Sequence, residues 1–114
     1  MSTTFISPNL AAEVTVPENG ILSRTLYNDD SLKVVIFGFA PGQELTAHTA
    51  PMPATIQILS GEATLTLGTE KVEAVPGTFV HMPAFLNHAI VAKTPTTMLL
   101  SMVKAARQDP QPKP

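Results

Sequence analysis

Apolar and polar positions along this chain alternate with the two-residue period of a β-strand and rarely with the longer period of a helix. The segment Ala63–Leu67 shows it most plainly. Ala63, Leu65 and Leu67 take one face and Thr64 and Thr66 the other, the pattern of a strand with one buried and one wet side. Runs rich in Val, Ile, Thr and Leu predict further strands at Ile21–Tyr27, Leu32–Ala40, Leu45–His48, Thr55–Leu59, Lys71–Val75, Phe79–Met82, Ala89–Lys93 and Thr97–Val103. The turns between them are written in Asn28-Asp29-Asp30, Pro41-Gly42, Ser60-Gly61, Gly68-Thr69 and Pro76-Gly77. The helix candidate is short, Ser7–Glu13, one or two turns. Many short strands punctuated this often predict an all-β sandwich or barrel.

One strand breaks the alternation. In Leu32–Ala40 the residues Val34, Val35, Ile36 and Phe37 are apolar on both faces, so both faces need cover. The barrel interior supplies one. A partner subunit or the chain's own N-terminal segment, with Phe5, Ile6 and Leu10, supplies the other. Composition bears on this choice. The chain has 114 residues, enough for one domain, and only 14% are charged, against about a quarter in an average soluble protein. A low charge on a small domain points to a covered surface and hence to a homodimer.

Charge and cysteine usage remove several classes of function. Lys and Arg number 7 against 9 acidic residues, without a basic cluster, so nucleic acid is a poor partner. No cysteine is present, which excludes disulfides, thiolate metal sites and a cysteine nucleophile. The start, MSTTFISPNL, reads as neither signal peptide nor membrane span, and a cytoplasmic protein is expected. There is no G-x-S-x-G for a serine hydrolase and no phosphate loop, since Gly61, Gly68 and Gly77 are isolated turn glycines. The end of the chain, ARQDPQPKP, lacks periodicity and reads as a polar, proline-rich tail.

Two stretches carry the chemistry. The first, GQELTAHTAPMPATIQILSG, runs from Gly42 to Gly61; the second, GTFVHMPAFLNH, from Gly77 to His88. Each has a turn glycine, a strand, a proline and a histidine at fixed offsets. Together they resemble the paired motifs of the cupin family, written G-x5-H-x-H-x3-4-E-x6-G and G-x5-P-x-G-x2-H-x3-N. Gly42, His48 and Gly61 fall at the offsets of the first motif, and Gly77, Pro83 and His88 at those of the second. Ala50 stands for the second histidine, Ala54 for the glutamate, Phe85 for a glycine and Ala92 for the asparagine.

The resemblance implies a double-stranded β-helix, a jelly-roll barrel of two antiparallel sheets, over residues 20–104. An N-terminal segment 1–19 would pack on it and the tail 105–114 would follow. It also implies a pocket inside the barrel where family members hold iron, manganese, nickel or zinc. Of the four family ligands this chain keeps His48 and His88. Strand parity puts Thr46, His48 and Ala50 on one face, with Glu44 sharing it nearer the turn, so Ala50 takes a ligand position with a methyl group. A catalytic metal usually has at least three protein ligands, so any metal here would be weakly held, with Gln57 or His81 as the possible extra donors. Gln57 faces away from Ala54, Ile56 and Ile58 unless a bulge shifts the frame. His81 shares a face with Phe79 and Pro83, and the sequence leaves open which way that face points.

The expected ligand pocket is therefore His48 and His88 facing each other, walled by Met52, Ile56, Ile58, Phe79 and Phe85. Met98, Leu100 and Met102 form a further apolar stripe that reads as core. Two readings follow: a barrel that binds a small organic molecule without catalysis, slightly favoured, or a metal-dependent dioxygenase, isomerase or decarboxylase. The arginines that would hold a nucleotide-sugar phosphate are lacking; Arg24 and Arg107 are the only two.

Overall fold

The computed structural model describes residues 4–109. Nine strands occupy the predicted places: β1 Ile21–Asn28, β2 Leu32–Phe39, β3 Glu44–His48, β4 Ala54–Ser60, β5 Ala63–Leu67, β6 Glu70–Ala74, β7 Phe79–Met82, β8 His88–Ala92 and β9 Thr96–Val103. The bounds differ from the sequence reading by one residue at most of the ends. The N-terminal helix candidate shrinks to a 3₁₀ turn, Leu10–Glu13. No helix among the described residues is long and apolar enough to cross a membrane.

The strands form two antiparallel sheets, ordered β1-β2-β9-β4-β7 and β3-β8-β5-β6. Non-sequential neighbours are what a jelly roll requires, because the chain crosses between sheets instead of returning beside itself. Between the sheets lies the core: Phe39, Ala54, Ile56, Ile58 and Met98 from the first, Ala63, Leu65, Ala74 and Ile90 from the second. These are the positions that the two-residue period assigns to one face. Burying them drives the closure, at roughly 25 cal/mol per Å² of apolar surface removed from water.

The doubly apolar strand β2 finds both covers within one chain. Phe37 and Phe39 face the interior with rings 5.8 Å apart. Ile36 and Leu99, paired across β2 and β9, take the opposite face, yet are only 0% and 8% exposed. The N-terminal segment lies on this outer face. A Cβ placed on Gly38 would stand 3.1 Å from the Cα of Val16 and 3.5 Å from the side chain of Val14. Arg24 of β1 holds the same segment by an ion pair to Glu13 at 3.1 Å. The covered outer face of β2 therefore does not call for a partner subunit. The apolar side chains left exposed are on other strands and turns, Leu22, Val75 and Phe79 among them.

The C-terminal segment is less detached than a solvated tail. A 3₁₀ turn at Lys104–Ala106 follows β9. Beyond it the Gln108 N–H donates to Pro51 O at 2.7 Å, and the Ala105 N–H donates to Ser31 O at 3.0 Å. Residues 110–114 of the expected tail lie outside the described residues.

Turn chemistry explains the Ser60-Gly61 corner. Gly61 has φ +82°, and a Cβ there would fall 2.1 Å from Pro95 O and 2.7 Å from the Cα of Thr96. Only glycine lets the β4–β5 turn press so closely on the β8–β9 turn. Thr96, fully buried, ties the two turns by donating to Glu62 O and Thr94 O.

Candidate functional site

A cavity of about 70 Å³ lies between the sheets and opens beside His48. Its first wall is the middle of the five-stranded sheet: Phe37 of β2, Met98 and Leu100 of β9, and Ile56 of β4. Phe37 pairs with Met98 and Ile56 with Leu100 across the ladder, so the four form one contiguous patch. The opposite wall is the β3–β8 pair, with Leu45 and His48 from one strand and His88, Ala89 and Ile90 from the other.

His48 and His88 are directly opposed across β3 and β8, with ring centroids 4.3 Å apart and planes tilted by 54°. His48 ends β3 and is exposed; His88 begins β8 and is half-buried. Each ring is anchored in the same way. His48 Nδ1 lies 2.9 Å from Thr46 O, and His88 Nδ1 lies 2.9 Å from Leu86 O. A carbonyl only accepts, so each Nδ1 carries the proton, and in the neutral ring Nε2 is left as an acceptor.

Parity along β3 differs from the sequence expectation. Leu45 opposes Ile90 and His48 opposes His88, so three steps on β3 match two on β8. This bulge adds one residue and flips the frame. Leu45 and His48 therefore both line the cavity, while Thr46 and Glu44 are exposed. Leu45 was missed for this reason, although a lone leucine out of phase with His48 is the signal a bulge leaves. Phe37 and Ile90 also line the cavity, and no motif position marks either of them in the sequence.

Several expected pocket residues lie elsewhere. Ile58 is core, 1% exposed, and does not reach the cavity. Phe79 pairs with Gln57 and His81 with Thr55, on the outer face of the sheet; Phe79, Gln57 and His81 are all exposed. Val80 and Met82 are the residues of β7 that turn inward. No bulge reverses β4 at Gln57, so Gln57 and His81 cannot complete a site with His48 and His88. Met52 is half-buried in the loop before β4, and Phe85 is 42% exposed in the loop before β8; neither lines the cavity. Met98 and Leu100 do line it, beyond their role as core.

Phe85 holds an uncommon conformation. Its φ is +66°, the single positive value of a non-glycine residue among the described residues. Its N–H donates to Ala50 O at 2.7 Å, which ties the loop of the second motif to that of the first.

The donor set does not fit a resident metal. Ala54 is 5% exposed and packed in the core between Met82 and Met102. Ala50 offers only its carbonyl, already taken by Phe85. Among the described residues no three His, Cys, Asp or Glu side chains are grouped for a metal ion. Two imidazoles at an otherwise apolar cavity fall short of the usual three ligands.

A two-sheet jelly roll with a pair of histidines at the mouth of its interior cavity defines a small barrel protein of the cupin type. Comparison agrees with that geometry. The family model described as Cupin domain matches residues 35–103, well over half of the chain, and the protein belongs to this family. A conserved protein of unknown function, SPY1581 from Streptococcus pyogenes, is 34% identical, with 91% of this chain and 90% of that one covered at a TM-score of 0.79. A cupin superfamily protein from Desulfitobacterium hafniense is 28% identical, with 87% and 94% covered and a TM-score of 0.80. Salicylate 1,2-dioxygenase from Pseudoaminobacter salicylatoxidans shares the fold at 13% identity, covering 74% of this chain and 25% of that one at a TM-score of 0.70. No curated protein matches the chain.

Proposed function

We propose that the barrel binds a small, mostly apolar organic molecule in the cavity between its sheets, and that it acts by binding and not by catalysis. The observation that carries this is the wall: apolar side chains all round, with His48 and His88 as the polar groups. Pockets of this composition, apolar with a few placed polar groups, are the usual form of small-molecule sites. The size limits the occupant. A cavity of about 150 Å³ takes a benzene ring, so about half that volume takes a few heavy atoms, and anything larger extends past His48 into solvent.

The other reading, a metal-dependent dioxygenase, isomerase or decarboxylase, needs donors that Ala50 and Ala54 do not supply. The test is a filled cavity. Small fragments titrated into labelled protein should shift the amide resonances of Ile56, Ile90 and Met98, and Leu100→Phe should abolish those shifts while the fold is retained. Unchanged binding by a folded Leu100→Phe variant would refute the site. Mass spectrometry of molecules released from the purified protein identifies any natural occupant.

A further inference from the structure

Resting on that reading, we infer that the His48–His88 pair selects neutral ligands that donate hydrogen bonds, a hydroxyl or a primary amide, without a metal between ring and ligand. The inference comes from the anchoring of the rings. Both Nδ1 atoms are committed to a carbonyl two residues back in the chain, at the same 2.9 Å. Neither Nε2 has a partner among the described residues. Two neutral rings held in this way present two acceptors and no donor.

Three ligand chemistries then separate. A carbonyl, ether or nitrile brings a further acceptor and finds no proton to accept. A cation finds acceptors but no counter-charge, since no acidic side chain lines the cavity, and removing an unpaired charge from water is costly. A neutral donor satisfies the acceptors and leaves its apolar end against Phe37, Met98 and Leu100. In a primary amide or a small alcohol of about four to six heavy atoms, the apolar end fills the cavity and the polar end reaches past it to the rings at the mouth.

The experiment uses the full chain, labelled with nitrogen-15, at about pH 8, above the ordinary imidazole range. Long-range proton–nitrogen spectra should show His48 and His88 both protonated on Nδ1. Isobutanol and isobutyramide should then bind and move both Nε2 resonances. The matched ketone, methyl isopropyl ketone, and isobutylammonium should bind about five- to tenfold more weakly, the loss expected for one unmade hydrogen bond. A chelator should leave the alcohol's affinity unchanged. His48→Phe, at an exposed position that tolerates it, should narrow the gap between alcohol and ketone while both still bind. Nε2-protonated rings, equal affinity for the ketone, or binding that appears only with added zinc would overturn the inference while leaving the pocket in place. If no fragment of any class binds, the pocket itself falls with it.

Discussion

Position 85 offers a test of backbone conformation free of side-chain packing. Phe85 takes φ +66° at the position where the cupin motif that this chain resembles is written with glycine. Outside glycine, a left-handed residue carries a cost of about 1–2 kcal/mol. Replacing Phe85 by alanine removes the ring and keeps that cost; replacing it by glycine removes both. The ring is 42% exposed, and its loss is common to the two variants, so it cancels in their comparison. In ordinary strands or helices alanine is the more stable of the two by about 0.5–1 kcal/mol, because glycine has more freedom to lose on folding. Subtracting that from the left-handed cost leaves Phe85→Gly more stable than Phe85→Ala by about 0.5–1 kcal/mol. Urea unfolding followed by circular dichroism at one protein concentration reads the difference, provided the slopes agree. Alanine equal to or above glycine would show that residue 85 does not hold this conformation in solution. The anchor between Phe85 N–H and Ala50 O would then be in doubt too.

Gly61→Ala should cost about 2–5 kcal/mol, from left-handed strain plus overlap with Pro95 O and Thr96; a melting temperature within a degree of the wild type would refute the turn packing. Metal analysis after a chelator wash should find less than one divalent ion per chain, and a tight, full complement would mean that donors other than His48 and His88 gather there. The exposed apolar side chains Leu22, Val75 and Phe79 keep a homodimer as our proposal, to be checked by light scattering against the chain mass of 12.1 kDa. Tyr27, the single tyrosine, donates to Asp29, which raises its pKa above 10.0 and lowers that of Asp29. The stability from this pair is therefore present below pH 10.0 and lost as pH rises through the raised tyrosine value; at the acid end it is lost as pH falls through the lowered carboxyl value. Absorbance at about 295 nm should show Tyr27 titrating late, and Asp29→Asn should return it toward the ordinary phenol range; an unchanged curve would refute the pairing.

Local pattern alone reached the strands of this protein, because a two-residue period and glycine or proline turns depend on neighbours in the chain. The resemblance of the two motifs to the cupin family added the expectation that His48 and His88 share one pocket, and the strand pairing sets them opposite each other. What local pattern could not reach was anything decided between strands. One extra residue in β3 changes which side chains look inward, so Leu45 joins His48 and Glu44 leaves, and that extra residue shows only against its partner β8. The face of β7 was equally hidden: Phe79 and His81 share a parity, but only the pairing with β4 says that this parity is the outside. On the outer face of β2, Val14–Val16 lie against Gly38, some twenty residues later in the chain, a contact that no periodicity records. The anchoring of both imidazoles to carbonyls, which leaves two acceptors at the cavity mouth, is likewise a product of how the strands end and not of which residues they contain.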